Sequence, residues 1–550
     1  MKWWIALVSA CFLSSAMWAA TPGERLSQQV AQAKALADRH AYGEAAAVLE
    51  KLASDIEITT LPDWPDTLYP RAKYEALGGN SEKAMATLAY AADLEVLPLG
   101  DELANAPEFA ALRDRPAFKA LVVRLQREAL LWNDSPALVT PFKPVLSEEE
   151  KVAGLSKIWS EARFNFPFFG RLDVDWDAEY MAFLPQVRAA QTTEEYYRVL
   201  ARFVAILRDA HTRLVAPGEL NDRLYAVAPF NTRLVEGKVI VTDVEDQALA
   251  AEGIVPGTEL VAIDGRPVIE YAKTEVEPYV FGFTPQDRNA WIYGLELLRG
   301  PLDKPLNLSF QSADGKTISR VVRRRASPGG YFPETPIPAD FKMLPGNIAY
   351  LRVQEFVDDA AVKTLRDNIA TLSKSSGLII DIRLNGGGRD ENMSAVLAIL
   401  DSRPFPGLNW RSRDYVAAVR SWHQTPGWHR DTYGRQQFDS PVHYSGPVVV
   451  LTSGTTYSSA EQFVTGIRIL KRGTIVGEAT AGSLSNPFVF RLPGGGMCFI
   501  GSKDDYYPDG QLFNGVGILP DAAVSPTIAD IRAGRDRALE KAVELVKGQR

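Results

Sequence analysis

The chain has 550 residues, of which 46% are hydrophobic and 23% are charged, and its formal net charge is −8. A chain of this length is too long for one hydrophobic core, so we expect two to four domains. Charges of both signs are interspersed without a basic patch, which argues against a nucleic-acid partner.

The first twenty residues have the pattern of a secretory signal peptide. Lys2 supplies a positive start, and the apolar stretch that follows it ends in Ala19-Ala20. Residues 1–20 are expected to direct export and to be removed, which would leave Cys498 as the one thiol and exclude an intramolecular disulfide. Cys498 lies in a strand-like run and is predicted to be an inert core residue. An uncleaved membrane anchor and a lipoprotein signal at Cys11 stay open as alternatives.

Residues 21–130 are rich in alanine and leucine at helical spacing. Small residues recur where paired helices would cross, and Gly78-Gly79-Asn80 would form a turn between two of them. This pattern resembles tetratricopeptide-type repeats, and the alternative is an ordinary helical bundle. In either case we expect this region to dock a protein partner or to cap the chain, without carrying chemistry. A proline-containing linker, residues 131–145, follows it.

Residues 147–222 form a second predicted helical block, and residues 225–325 then change to short strands. Asp264-Gly265 and Asp314-Gly315 are tight-turn signals beside strand-like runs. The pattern Pro-Gly-x-x-Leu-x-x-Ile-Asp-Gly, residues 256–265, resembles a PDZ domain, a module that binds an extended peptide as an added strand. A generic small β domain is the alternative.

Strands and helices alternate over residues 340–525, which predicts an α/β core with a partly parallel sheet. Residues 403–445 interrupt this alternation with an insertion rich in aromatic residues and histidine, which is predicted to be a lid, a substrate wall or a plain surface excursion. A C-terminal helix is expected over residues 526–550. The predicted fold class is therefore multidomain α/β, with a helical N-terminal repeat region and a PDZ-like β domain before the α/β core.

The most informative local pattern is a buried strand that breaks into a hydroxyl-rich turn before a helix. Residues 448–451 are apolar, and a helix is predicted to begin at about Ser459. Ser458 would then lie beside the unpaired N–H groups and the partial positive charge of the helix N-terminus. This geometry suits a nucleophilic serine whose oxyanion must be stabilised as it forms.

Two further segments supply candidate partners for this serine. Asn385-Gly386-Gly387-Gly388 follows an apolar run, and a glycine run lets the backbone approach a substrate closely. Asp209-Ala210-His211-Thr212 ends an amphipathic helical stretch, and the neutral imidazole of His211 could accept the serine proton near pH 7. The competing histidines are His423 and His429 in the aromatic insertion.

Together these segments resemble the tail-specific protease family, also called the carboxyl-terminal-processing and tricorn-like serine peptidases. The resemblance covers residues 147–525 and depends on four motifs in the family's order: residues 209–212, residues 381–388, residues 456–461 and the run Gly515-Val516-Gly517-Ile518-Leu519-Pro520-Asp521. It implies a ClpP/crotonase-like α/β core and a PDZ-like domain between the first and second motifs.

The resemblance also implies site residues. Ser483 stands where the Ser-Lys branch of the family has its lysine, so that dyad is excluded, and Lys471 and Lys503 lie outside the motif and are expected to be solvated. The tricorn-like branch uses a histidine, which matches His211. Its glutamate position holds Asn514, which could orient the imidazole through its carbonyl oxygen. An acid could instead come from nearby; the candidates are Asp504, Asp505 and Asp509.

For the oxyanion hole, the resemblance implies the backbone N–H groups of Gly387 and Ser459. No His/Cys/Glu spacing forms a ligand set, so no metal is expected, and no cofactor is expected either. No Lys-Ser/Thr pair follows the glycine run, which disfavours a nucleotide-binding loop.

The sequence therefore predicts an exported, periplasmic serine peptidase that acts on peptides or unfolded proteins through an acyl-enzyme on Ser458. One rival is a non-catalytic relative that binds a ligand or peptide, and another is an ester hydrolase. Endopeptidase or carboxypeptidase action, the substrate and the oligomeric state stay open.

Overall fold

The computed structural model describes residues 20–132, 134–327, 329 and 339–548, so the predicted signal peptide lies, apart from Ala20, outside the described residues. The chain divides into two compact units, Met1–Ser135 and Pro136–Arg550. Across the part of the chain that is described, no helix has the length and apolar character needed to cross a membrane.

The first unit is helical in its described part. Thr21 caps its first helix through a reciprocal capping box with Glu24, and buried alanines such as Ala45, Ala84 and Ala91 allow the paired helices to pack closely. Its helices are α1 (Pro22–Ala37), α2 (Tyr42–Leu52), α3 (Ile56–Thr59), α4 (Leu68–Leu77), α5 (Ser81–Asp93), α6 (Glu102–Asn105) and α7 (Pro116–Trp132).

The second unit begins with a helical block. Its core contains stacked aromatic rings, with the Trp176 and Phe203 centroids 4.3 Å apart, and Cys498 is fully buried in the same cluster, as predicted. The elements here are α8 (Glu148–Asn165), α9 (Trp176–Ala189), α10 (Thr193–Ala205), β1 (Arg213–Val215) and α11 (Asn221–Leu224). The helix α10 ends before Asp209, so the motif of residues 209–212 lies in the turn ahead of β1 and not at a helix end.

An antiparallel sheet of order β2-β3-β4-β6-β7 follows. Thr232 in its outer strand donates a 2.6 Å hydrogen bond to the carbonyl of Tyr293, so residues 290–296 pack directly on that strand. The elements are β2 (Phe230–Val235), β3 (Lys238–Val244), α12 (Gln247–Ala251), β4 (Glu259–Ile263), β5 (Arg266–Pro267), α13 (Val268–Tyr271), α14 (Pro285–Asn289), β6 (Leu306–Gln311) and β7 (Thr317–Val322).

The α/β core carries a sheet of order β20-β16-β15-β10-β9-β8, parallel except for β8. This confirms the predicted alternation of strands and helices. Its elements through the insertion are β8 (Asp340–Leu344), β9 (Ile348–Arg352), α15 (Ala360–Asp367), α16 (Ile369–Leu372), β10 (Leu378–Asp381), α17 (Asp390–Leu400), β11 (Phe405–Pro406), β12 (Asn409–Asp414), α18 (Ala417–Ser421), β13 (Gly427–Thr432) and β14 (Arg435–Gln436).

The remaining elements complete this sheet and two smaller ones. The strand order β13-β12-β19 attaches the aromatic insertion to the core, and the order β1-β18-β17 attaches the helical block. These elements are β15 (Val448–Thr452), α19 (Ser459–Leu470), β16 (Thr474–Gly477), β17 (Pro487–Arg491), β18 (Met497–Gly501), β19 (Lys503–Tyr506), β20 (Ala522–Ala523), α20 (Ile528–Arg532) and α21 (Arg537–Gly548).

Candidate active site

The candidate site lies where two neighbouring parallel strands end. Leu451 of β15 is in register with Asp381 of β10, so the loops that follow both strands leave the sheet at the same edge. Ligands of parallel sheets bind at this carboxyl edge. The glycine loop of residues 385–388 and the turn of residues 453–458 therefore meet there.

Ser458 occupies a strained turn between β15 and α19. Its φ and ψ angles are 54° and −126°, a conformation that residues with a side chain seldom adopt. A sharp strand-to-helix turn of this kind projects a nucleophile away from the backbone. The helix begins at Ser459, as predicted, and the half-buried Ser458 side chain makes no hydrogen bond that caps it.

The hydroxyl groups of this turn bind the loop that follows β10. Ser453 and Thr455 donate hydrogen bonds of 2.5 and 2.6 Å to the carbonyl of Arg383. Thr456 donates a 2.9 Å bond to the carbonyl of Ile382. The serine and threonines ahead of Ser458 thus provide donors to carbonyl groups of the loop that follows β10.

The loop itself is held by the motif of residues 381–388. Arg383 forms ion pairs with Asp381 and Asp536, at 2.6 and 2.8 Å. Asn385 is fully buried, donates through its amide to the carbonyl of Val353 at 3.1 Å, and accepts the N–H of Gly387 at 2.9 Å. The charged and amide residues of this motif therefore shape the loop.

Gly387 lies against the candidate nucleophile. Its φ angle is 100°, and a Cβ built on it would lie 2.7 Å from the Cβ of Ser458. Its N–H donates to the side chain of Asn385 in this structure. Amides in the first turn of α19 donate back to the carbonyls of Tyr457 and Ser458; they belong to Ala460, Glu461 and Gln462. Among the described residues of this turn, no carbonyl accepts the N–H of Ser459, as is usual for the first N–H groups of a helix.

His211 meets the nucleophile turn at Ser483. The Nδ1 atom of His211 lies 2.7 Å from the hydroxyl of Ser483, and the carbonyl of Ser483 accepts the N–H of Ser458 at 3.3 Å. Burial is the main reason that the pKa of His211 is lowered to about 3, and the positive charges of Arg213 and Lys503 contribute to this lowering. The imidazole is therefore neutral at pH 7, the form that can accept a proton.

Asp209, two residues before the histidine, is buried behind Ser483. Its carboxylate accepts the hydroxyl of Thr212 at 2.7 Å and that of Ser485 at 3.3 Å, and the Ser483 hydroxyl lies 3.5 Å away. Burial raises the pKa of Asp209, while these hydroxyl groups and the His211 amide oppose that rise.

Glu461 fixes the loop that carries Ser483. Its two carboxylate oxygens accept the N–H groups of Gly482 and Ser483 at 2.8 and 2.9 Å. Burial raises the pKa of Glu461 to about 7, against the hydrogen bonds that it accepts. Because Glu461 lies in the first turn of α19, it ties the residue-480 loop to the nucleophile helix.

Asn514 lies beside this loop but bonds elsewhere. Its Oδ1 accepts the N–H of Leu484 at 2.5 Å, and its amide donates to Asp504 at 3.3 Å. Asp504 is itself paired with Arg171 and Arg411, at 2.6 and 2.9 Å. The group next to Nδ1 of His211 is thus the Ser483 hydroxyl, whereas Asn514 accepts a hydrogen bond from Leu484, the next residue in the chain.

The expectation of a solvated Lys503 is wrong. Lys503 is 6% exposed because it pairs with Asp505 at 3.1 Å and contacts the hydroxyl of Tyr433. Burial alone would lower the pKa of Lys503, but these two partners raise it, so the lysine stays protonated and cannot serve as a base. The alternative acid Asp505 is therefore ion-paired with Lys503.

The other candidates are exposed. Lys471 is at the surface as predicted, and so are His423, His429 and the alternative acid Asp509. None of these side chains is among the contacts of Ser458 or Ser483 within the described residues.

Residues 284–291 contact both loops of the site. Thr284 donates to the carbonyl of Ala481 at 2.8 Å, and Trp291 donates to the Tyr457 hydroxyl at 2.6 Å. That hydroxyl in turn donates to buried Asp287, whose pKa burial raises well above its usual range. This segment, which lies between β5 and β6 in sequence, therefore contacts the residue preceding Ser458.

The chain is similar to known peptidases in three comparisons. Residues 347–524 match peptidase family S41. A carboxy-terminal-processing protease of Bartonella bacilliformis is 23% identical over 312 residues, 54% of this chain and 61% of the relative. A tricorn protease homologue of Streptomyces coelicolor is 23% identical over 436 residues, 73% of this chain and 33% of the relative. The chain thus spans less than two thirds of either relative's length.

The solved structure of mature CPAF complexed with lactacystin is similar in fold. It superposes with a TM-score of 0.58 at 16% sequence identity, covering 73% of this chain and 98% of that one. The family resemblance drawn from the motifs is confirmed to this extent: residues 347–524 of this chain match the model of peptidase family S41.

Proposed function

We propose that this protein hydrolyses peptide bonds through an acyl-enzyme on Ser458, with His211 as the general base. The observation that carries the proposal is that both groups meet at Ser483. Its carbonyl accepts the Ser458 N–H at 3.3 Å, and its hydroxyl lies 2.7 Å from Nδ1 of His211. Two segments more than 200 residues apart in sequence thus bring a hydroxyl and a neutral imidazole to one residue.

The chemistry follows from these positions. Nδ1 of His211 is engaged by Ser483, which leaves Nε2 to accept the proton of Ser458 as its oxygen attacks the scissile carbonyl. Nε2 then gives this proton to the leaving amine nitrogen as the carbon–nitrogen bond breaks. Water hydrolyses the resulting ester by the same exchange and frees Ser458.

The backbone around Ser458 supports oxyanion stabilisation by Gly387 and Ser459. The glycine loop approaches so closely that a Cβ on Gly387 would lie 2.7 Å from Ser458. The N–H of Gly387 donates to Asn385 in the resting protein, so we propose that it exchanges this acceptor for the substrate oxygen during reaction. Removing one such donor typically slows acyl transfer by about 10²–10³-fold.

A fluorophosphonate probe tests this proposal, because it forms a covalent bond with an activated serine. Wild-type protein is expected to be labelled at Ser458, located by mass spectrometry of the digested protein, and Ser458→Ala is expected to lose the label. Ser54→Ala, an exposed serine of the first unit, serves as the control and should label like wild type. Equal labelling of Ser458→Ala and wild type would refute the assignment.

The substrates proposed are peptides or unfolded proteins. Residues 225–325 are proposed to act as a PDZ-like domain, but the outer strand β2 is covered by residues 290–296, with a Thr232–Tyr293 hydrogen bond of 2.6 Å. A peptide that adds to this strand would have to displace that segment. Digestion of a peptide library, read by mass spectrometry, would distinguish peptide hydrolysis at chain ends, internal cleavage and ester hydrolysis alone.

Export to the periplasm through residues 1–20, and partner docking by the helical N-terminal region, complete the proposal. Fractionation of the native cell into periplasm and cytoplasm tests the first point. The non-catalytic alternative draws support from the engaged amide of Gly387, and it predicts that the probe does not label native wild-type protein.

A further inference from the structure

The proposed mechanism requires a group that holds His211 in the correct tautomer. A serine-peptidase histidine must carry its proton on the nitrogen facing away from the nucleophile, and an acceptor there usually provides this. The atom at that position here is the hydroxyl of Ser483, 2.7 Å from Nδ1. Asn514, the residue expected from the family pattern, bonds instead to Leu484 and Asp504.

The direction of the hydrogen bonds follows from the group behind Ser483. The Asp209 carboxylate is 1% exposed, and the hydroxyls of Thr212 and Ser485 donate to it. The Ser483 hydroxyl lies 3.5 Å from the same carboxylate, which is longer than an ordinary O–H···O bond, and hydrogen bonds between catalytic groups are often long before substrate binds. If the Ser483 hydroxyl donates its one hydrogen bond to Asp209, it has no proton left to donate to His211. Its oxygen must then accept a hydrogen bond from Nδ1–H of His211. Nε2 is then unprotonated.

Ser483 is held rigidly in this position. Its N–H donates to Glu461 at 2.9 Å, and its carbonyl accepts the N–H of Ser458 at 3.3 Å. Its side chain is 3% exposed, so water does not compete strongly for the hydroxyl. The charged groups that affect the imidazole most are Arg213 and Lys503, and both disfavour the imidazolium.

We propose that Ser483 and Asp209 are positioning residues, which hold His211 as the Nδ1–H tautomer through a hydroxyl relay. Ser483, at the position of the family's lysine, would thereby orient His211. Asp209, from the same motif as the histidine, would take the place of the glutamate that this chain lacks. The inference rests on the proposed function, since it assigns how that base is oriented.

The test compares Ser483→Ala with Ser483→Thr, which keeps the hydroxyl. The rate of fluorophosphonate labelling is measured from pH 5 to pH 9, alongside thermal unfolding. Ser483→Ala is expected to label about 10²-fold more slowly, whereas Ser483→Thr should recover most of the rate. Ser502→Ala, whose hydroxyl bonds only to the carbonyl of Asn486 among the described residues, is the matched control and should equal wild type.

A second measurement reports the tautomer independently of activity. The ¹⁵N NMR spectrum of protein labelled with ¹⁵N-histidine contains five pairs of ring-nitrogen signals, one pair for each histidine. The pair that disappears in His211→Gln belongs to His211. Wild type is expected to hold the proton on Nδ1, and Ser483→Ala and Asp209→Asn should shift it toward Nε2.

Several outcomes would overturn the relay. These are an unchanged labelling rate in Ser483→Ala, an equal loss in Ser483→Ala and Ser483→Thr, or an Nδ1–H tautomer that persists without the hydroxyl. If wild-type protein were not labelled at all, the proposed function would fail, and the NMR result would still decide whether Ser483 orients the imidazole.

Discussion

The two halves of the candidate site are built in different ways. The nucleophile half is one continuous run of chain, in which β15, the hydroxyl-rich turn and α19 place Ser458. The base half is assembled from distant segments, because His211 and its partner Ser483 are 272 residues apart. The helix α19 and turn hydroxyls bonded to the neighbouring loop support the first half, whereas the ring of His211 is held by the hydroxyl of a distant residue, Ser483. Single side-chain changes should therefore disturb the base more selectively than the nucleophile.

The largest effect is expected for His211→Gln, which removes the base but keeps a polar side chain of similar size. Labelling of Ser458 by a fluorophosphonate should slow by about 10²–10⁴-fold, the usual contribution of general-base catalysis. His423→Gln, an exposed histidine of the aromatic insertion, is the matched control. A loss in the control and none in His211→Gln would move the base to the insertion.

Gly387→Ala should produce the next largest effect, now on the nucleophile half. The added Cβ would meet the Cβ of Ser458 at 2.7 Å, and the φ angle of 100° disfavours alanine. Hydrolysis or labelling should fall by about 10²-fold. Gly386→Ala, on the same loop, has no atom within 4 Å of its Cβ and should be tolerated. Equal rates for the two variants would contradict the close approach.

Glu461→Gln tests the connection between the halves. The carboxylate accepts two N–H groups, from Gly482 and Ser483, and an amide can accept only one of them. The unpaired N–H should lower the free energy of unfolding by about 1–3 kcal/mol, measured by urea denaturation. Glu544→Gln, exposed on α21, should leave stability unchanged. Wild-type stability in Glu461→Gln would show that the loop does not depend on this residue.

The smallest effect, taken per pH unit, is the pH dependence of stability attributable to His211. Burial is the main reason that the pKa of His211 is lowered to about 3 from its ordinary value of 6.5. Between these two pH values the unfolded chain binds a proton at His211 that the folded protein does not bind. The free energy of unfolding of wild type therefore falls by up to about 1.4 kcal/mol for each unit by which the pH is lowered. His211→Gln lacks this loss, and the contributions of Glu461 and Asp505 cancel in the difference. Parallel stability curves for the two proteins would contradict a buried neutral histidine.

The sequence predicted the local half of the site well because its signals are local. An apolar strand, a hydroxyl-rich turn and the start of α19 at Ser459 can each be read from adjacent residues, as can the strand–helix alternation of the core. The sequence predicts the hydroxyl-rich turn but no role for its other hydroxyls, and in the structure Ser453 and Thr455 bind the carbonyl of Arg383. Their structural role needs the neighbouring loop and cannot be seen in one segment.

The assembled half could be predicted only in part. His211 was identified from its motif, but its contact with Ser483 depends on how β1 and β18 pair, which no local pattern encodes. Asp209 was visible two residues before the histidine, and that spacing was the available signal for an acid. Lys503 was expected in solvent because its partners, Asp505 and Tyr433, come from separate elements. Long-range pairing of charges therefore limited the prediction.

The most direct test of the account is a crystal structure of the protein after reaction with a fluorophosphonate. We expect phosphorus bonded to the Ser458 hydroxyl oxygen, Nε2 of His211 within hydrogen-bond reach of that oxygen, and a phosphoryl oxygen accepting the N–H groups of Gly387 and Ser459. An adduct on another residue, or His211 out of reach of the modified serine, would contradict it.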